Sequence, residues 1–158
     1  MKCYIDSREK PQAIEGIIAY FDRHGIEWEK KKLETGDYML EGRPDVVIDR
    51  KMSLLEMAHN MLTADKARFY REVRRARESG IRLIILCEHG GIKDLSDVAK
   101  WKPKFGRSNG KRLADAIFRL EVSYNVPTFF CDPRSTGRRI VELLSGEDHG
   151  DEDILRSE

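Results

Sequence analysis

Four carboxylates and one lysine in the first third of the chain are placed where chemistry can be done. Asp6 and Glu9 follow a short apolar run, Asp37 sits behind a glycine, and Asp49 and Lys51 close a β-branched run. Side chains two apart on a strand share a face, so Asp49 and Lys51 project together while Arg50 points the other way. A same-face acid and lysine, with a further acid on a neighbouring strand, is equipment for metal-assisted phosphodiester hydrolysis. Carboxylate oxygens hold Mg²⁺ at about 2.0–2.1 Å and leave several of its waters in place. The ion lowers the pKa of a bound water and offsets charge on the phosphate. A lysine in reach orients the water or balances the developing negative charge. By spacing alone the pattern is more often that of a solvated strand end.

The elements that must position these residues can be read from periodicity. Lys2–Asp6 reads as a strand, and Pro11 suits the first turn of a helix carrying Ile14, Ile17, Ile18 and Phe21 up to Gly25. Glu27 to Glu34 alternates Trp28 and Leu33 with charge, as a half-exposed strand does. Gly36-Asp37 is a turn, Tyr38–Leu40 a strand, Glu41-Gly42-Arg43-Pro44 a hairpin turn, and Asp45 to Lys51 the expected central strand. Ser53 is the expected N-cap of a helix, with Glu56 three residues on. A second helix is expected over 64–79, a strand over 81–87, a short helix over 92–98, a loop over 99–109, a helix over 110–124, a strand over 126–131 and a closing helix over 135–144. Strands joined by helical crossovers imply an α/β fold, a mixed central β-sheet flanked by helices on both faces.

Composition narrows the class. The chain of 158 residues suits one domain. No apolar run approaches the roughly 20 residues of a membrane span, and the start lacks a signal-peptide core, so an intracellular protein is expected. Cys3, Cys87 and Cys131 are far apart, without a CxxC pair, and read as buried thiols rather than zinc ligands. The net charge of +1 hides an asymmetry. Residues 147–158 carry net −5, which leaves +6 for residues 1–146. A basic body with clustered charge points to a polyanionic partner. The acidic stretch reads as a disordered tail, and 1–146 as the folded domain.

Three motifs occur in one order: Ile5-Asp6-Ser7-Arg8-Glu9, Gly36-Asp37-Tyr38, and Val46-Val47-Ile48-Asp49-Arg50-Lys51. Together they resemble the nuclease domain of the XPF family of structure-specific endonucleases, a branch of the restriction-endonuclease-like fold. The resemblance continues through Arg68-Phe69, Leu83–Leu86 with Glu88, Tyr124-Asn125-Val126-Pro127 and Thr136, covering most of residues 2–145. It implies a divalent-metal-dependent DNA endonuclease, using Mg²⁺ or Mn²⁺, that cuts branched, flapped or otherwise distorted DNA, and a homodimer formed through the nuclease domain. It implies Asp37 and Asp49 as principal metal ligands, Lys51 serving the nucleophile or transition state, and Asp6 completing the acidic cluster. Arg8 and Glu9 would hold the site or touch phosphate, and Arg50 would be structural or DNA-facing. Two departures stand out. Asp49 occupies the place of the family's usual Glu, and Leu55 stands where an acid is usual. Glu56 either takes that role one position later or only caps its helix. No helix-hairpin-helix pattern follows residue 145.

Two basic stretches are the expected DNA surfaces. One is the arginine-rich helix, with Arg68 and Arg71 beside Lys66, Arg74, Arg75 and Arg77. The other is the segment holding Lys100, Trp101, Lys102, Lys104, Arg107 and Lys111, where bases alternate with aromatics. Such composition suits a phosphate backbone and an unstacked base. The competing reading is a catalytically inactive DNA-binding or scaffolding module. The presence of Asp37, Asp49 and Lys51 together argues against it.

Overall fold

A computed structural model describes residues 1–104 and 109–146. Arg107 and the acidic segment 147–158 lie outside the described residues. Six strands form one mixed sheet: β1 (Lys2–Asp6), β2 (Glu27–Lys31), β3 (Tyr38–Leu40), β4 (Arg43–Lys51), β5 (Arg82–Glu88) and β6 (Thr128–Cys131), in the order β2-β1-β3-β4-β5-β6. Six helices surround it: α1 (Glu15–Arg23), α2 (Leu54–Leu62), α3 (Lys66–Glu78), α4 (Leu95–Lys100), α5 (Gly110–Tyr124) and α6 (Thr136–Ser145). Strand β3 runs antiparallel to both β1 and β4, and the other pairings are parallel. The carboxyl ends of β1, β4 and β5 therefore meet at one edge, beside the start of β3. That edge is where open α/β sheets bind their ligands.

Alternation along β4 divides the core into two layers. Val47, with Leu83, Ile85 and Cys87 of β5, packs against α2, α3 and α5. Val46 and Ile48, with Ile84 and Leu86, pack against α1 and α6. Asp49 and Lys51 continue the first row and Arg50 the second. The parallel register sets Asp49 beside Ile85 and Lys51 beside Cys87.

Local chemistry fixes the ends of the elements. The Ser53 Oγ accepts the Glu56 N–H at 3.1 Å, and Glu56 Oε2 accepts the Met52 N–H at 2.7 Å, a reciprocal cap on α2. Asn109 Oδ1 accepts the Lys111 and Arg112 N–H groups at the start of α5. Asn125 closes α5 in the left-handed region. Gly36 is required twice over: its φ is +75°, and a Cβ there would sit 2.9 Å from Val47 Cβ.

Several boundaries differ from the sequence reading. Pro11–Ala13 is a separate 3₁₀ turn before α1. Strand β2 stops at Lys31 and all five of its residues are exposed, as befits an outer strand, while Leu33 is buried beyond it. The hairpin turn is only Glu41-Gly42, because Leu40 pairs with Arg43. Helix α4 starts later than the apolar pattern indicated, because Asp94 Oδ1 caps Ser96 and Asp97. The three cysteines are free and buried. No helix among the described residues is long and apolar enough to cross a membrane.

Candidate active site

The sheet edge opens into a cleft of about 290 Å³ whose lining includes Asp6, Glu9, Asp37, Asp49 and Lys51. The turn at Gly36-Asp37 ties Asp37 to β4 and to β1 by one main-chain bond each. The Asp37 N–H donates to Ile48 O at 2.7 Å, and the Asp6 N–H donates to Asp37 O at 2.7 Å. One carboxylate oxygen of Asp37, Oδ2, accepts the Arg50 N–H at 2.8 Å. The Lys51 Nζ lies 3.2 Å from Asp49 Oδ2 and 5.5 Å from the centre of the Phe69 ring on α3.

Charge is unbalanced here. Burial pushes Asp37 well above the usual carboxylate range, and the neighbouring Asp49 and Glu9 push it further. Asp49 is also raised, by burial and by Glu72, although Lys51 opposes the rise. The two carboxylates act on one another. Lys51 is raised despite burial, because Asp49 and Glu56 favour its ammonium form. It is therefore a cationic donor at neutral pH and not a proton acceptor.

Asp6 is placed differently. It is 1% exposed, and both of its oxygens are engaged: Oδ1 accepts the Leu33 N–H at 2.9 Å and Oδ2 accepts Arg8 Nε at 2.7 Å. Burial raises Asp6, but these bonds outweigh it and hold the carboxyl below its usual range. Arg8 also donates to Leu33 O at 3.1 Å, and its side chain remains 67% exposed at the cleft mouth.

Arg50 is turned inward. Its side chain is 3% exposed; Nε and Nη2 donate to Glu9 at 2.9 Å each, and Nη1 donates to Glu88. Thr136 Oγ1 donates to the other Glu88 oxygen at 3.0 Å, tying the start of α6 into the same network. Arg50 thus does not present its charge at a DNA-facing surface: the guanidinium is closed off by two carboxylates. Glu9 lines the cleft and at the same time holds Arg50.

The arrangement adds residues the motifs did not single out for the site. Glu72 and Arg75 of α3 line the cleft with Glu34 and Thr35. The available signal for Glu72 was its place as the one acid between Lys66 and Arg77. Glu56 lines the cleft as well as capping α2, while Leu55 is 48% exposed. Among the expected DNA residues, Arg71 is exposed, and Arg68 is exposed but lies 3.7 Å from Asp65. Lys100, Lys102, Lys104 and Lys111 are exposed, and Trp101 packs half-buried against the core.

Among the described residues, no three acidic, histidine or cysteine side chains converge to hold a cation by themselves. The Asp37–Asp49 pair nevertheless fits a hard divalent ion. Mg²⁺ characteristically takes one or two protein carboxylates and keeps water and substrate oxygens around the rest of its shell. Asp37 and Asp49 supply two oxygens, Oδ1 of each, that lie outside the bonds to Arg50 and Lys51.

A mixed six-stranded sheet flanked by helices is the fold this chain shares with an XPF structure. The chain belongs to the ERCC4 domain family, whose model matches residues 5–143. Among solved structures it is similar to "XPF from Aeropyrum pernix", with a TM-score of 0.69 and 21% identity over 98% of this chain and 68% of that one. It is also similar to "XPF from Aeropyrum pernix, complex with DNA", with a TM-score of 0.67 and 21% identity over 92% of this chain and 64% of that one. The chain thus spans about two thirds of the length of these proteins. No curated protein matches the sequence at a significant level.

Proposed function

We propose that residues 1–146 form a divalent-metal-dependent endonuclease domain that hydrolyses DNA phosphodiesters at branched, flapped or otherwise distorted sites. The observation that carries this reading is the grouping of two half-buried carboxylates, Asp37 and Asp49, around a single ammonium, that of Lys51, 3.2 Å from Asp49. Membership of the ERCC4 family and the likeness to an XPF structure in complex with DNA support it. Asp37 and Asp49 would hold Mg²⁺ or Mn²⁺. A bound ion of this kind supplies Lewis-acid activation of water and stabilises charge on the scissile phosphate.

The remaining work falls to this chain's own groups. Lys51 donates a hydrogen bond toward the attacking water or a phosphate oxygen and offsets negative charge in the transition state. Glu9 fixes Arg50, and Arg50 steadies the strand end that carries Asp49 and Lys51. Asp6 acts as a positioning residue that orders Arg8 and the Leu33 turn, and with both oxygens engaged it would complete the acidic cluster through water. Arg8, Arg71 and the exposed lysines from Lys100 to Lys111 would lie along the DNA backbone. Phe118 and Val122, 51% and 67% exposed and four apart on α5, form the apolar face that a second copy of the chain would cover.

The test is cleavage of end-labelled single-stranded, duplex, flap, fork and four-way DNA with Mg²⁺ or Mn²⁺, beside Asp49→Ala. Cutting by the wild type alone, stopped by EDTA, is the expected result. A folded wild type that binds every substrate and cuts none would replace this reading with that of a scaffolding module.

A further inference from the structure

A groove of about 710 Å³ lies on the other flank of α3, between that helix and α5. We propose that it is a second DNA subsite, which takes an unstacked single strand leaving the active site. The inference rests on the endonuclease reading for its ligand and names the branch of the substrate that the protein grips.

The walls have the chemistry of such a site. Lys66 and Arg74 come from α3, and Arg112 and Arg119 from α5. All four are exposed. Arg8, Arg50, Arg134 and Arg138 are each paired with a carboxylate. None of the four groove cations has such a pairing among the described residues, although Asp115 shares the groove. Their charge is left for a ligand. Between them lie two half-buried rings, Tyr70 and Tyr124, with centroids 5.4 Å apart and planes tilted by 47°. Tyr70 is propped edge-on by Phe69 at 5.3 Å, and Arg119 is near enough to act on it electrostatically. Cations that track a backbone, set around aromatic faces on which bases stack, are the recurring equipment of single-strand sites. A duplex offers its bases only edge-on and cannot use the rings.

The groove and the cleft lie on two flanks of one helix, α3. Glu72 and Arg75 line the active-site cleft, whereas Lys66, Tyr70 and Arg74 line the groove. At 3.6 residues per turn these are two different stripes of α3, with exposed Arg71 between them. A strand held at Asp37 and Asp49 can cross α3 over Arg71 and enter the groove. Lys66 and Arg74 of the arginine-rich helix and Arg112 and Arg119 of α5, far apart along the chain, thus line a single groove.

The test is the affinity of a fluorescein-labelled oligothymidine for the intact chain by anisotropy, in EDTA so that binding is read without cutting. A blunt duplex of equal length is the comparison. Tyr70→Ala is expected to weaken single-strand binding about tenfold and to leave the duplex within about twofold, while Tyr70→Phe retains binding. Arg74→Ala and Arg119→Ala, both at the surface, are each expected to lower the slope of log K against log salt by about 0.7. Photocrosslinking of a bromouracil strand should label Tyr70 or Tyr124. Unchanged affinity and salt slope in the folded Arg74→Ala/Arg119→Ala variant would overturn the proposal, as would a wild type with no affinity for the oligothymidine. A shift from dimer to monomer in that variant, with DNA binding intact, would assign the groove to a second copy instead. Groove-dependent binding by a protein that cuts nothing would uphold the subsite and remove only the endonuclease reading.

Discussion

Strand β4 places two opposite electrostatic designs one residue apart. On the face toward α2 and α3, Asp49 and Asp37 crowd together with a single lysine. On the face toward α1 and α6, Arg50 donates to both Glu9 and Glu88, and Thr136 holds Glu88. The first face is poorly balanced by itself and gains from a bound cation. The second is closed around a buried guanidinium that both carboxylates engage. The difference teaches that buried charge in this protein has two uses: where partners satisfy one another the charge holds a frame, and where they do not it leaves a site.

The largest effect is expected on the open face. Asp49→Ala removes a ligand and should lower the cleavage rate by about 10³-fold, since such stabilisation is worth several kcal/mol at 1.36 kcal/mol per tenfold. Single-turnover kinetics read this, and the far-ultraviolet circular dichroism should not change. The closed face responds in stability instead. Arg50→Met strands Glu9 and Glu88 and should cost about 3–5 kcal/mol in urea unfolding. Adding Glu9→Gln and Glu88→Gln to Arg50→Met should recover part of that loss, because the stranded charges are then gone. A small loss for Arg50→Met alone would mean that the network is not a frame.

Gly36→Ala tests the link between the faces, because this turn delivers Asp37 to β4. The positive φ and the 2.9 Å approach to Val47 should cost about 1–3 kcal/mol. Displacement of Asp37 should reduce turnover as well, which a linked assay of melting temperature and cleavage would reveal.

The smallest effect has the most telling sign. The pKa of Asp37 is raised in the folded state, so between about pH 3.8 and its folded value the native protein binds more protons than the unfolded chain. Stability therefore falls as pH rises through that window. Asp37→Asn removes this cost, and its amide oxygen can still accept from the Arg50 N–H. At pH 7 in EDTA the variant should be more stable than wild type by about 0.5–2 kcal/mol, with the gap closing toward pH 4. Mg²⁺ should raise the wild-type melting temperature and leave that of the variant unmoved. A variant less stable than wild type at pH 7 would contradict the unbalanced-charge account of the open face.

Much of this was decided by the sequence alone, because the rules involved are local. A period of two puts Asp49 beside Lys51 and opposite Arg50. The turn at Gly36-Asp37, the Ser53 cap and the helices read from apolar spacing all depend on neighbours within a few residues. The motif order also led to the nuclease architecture, and the strands joined by helical crossovers to the mixed sheet. Tertiary structure alone decided what each charge faces. Glu9 and Glu88 reach Arg50 from 41 and 38 residues away. Leu33 turns Asp6 inward from 27 residues away. Glu72 enters the cleft only because α3 packs over β4 and β5, and Tyr70 meets Tyr124 only because α3 lies against α5. Such contacts depend on strand order, register and helix packing, which follow from filling two apolar layers across the whole chain. Periodicity says which way a side chain points along its own element, but not which distant element comes to meet it.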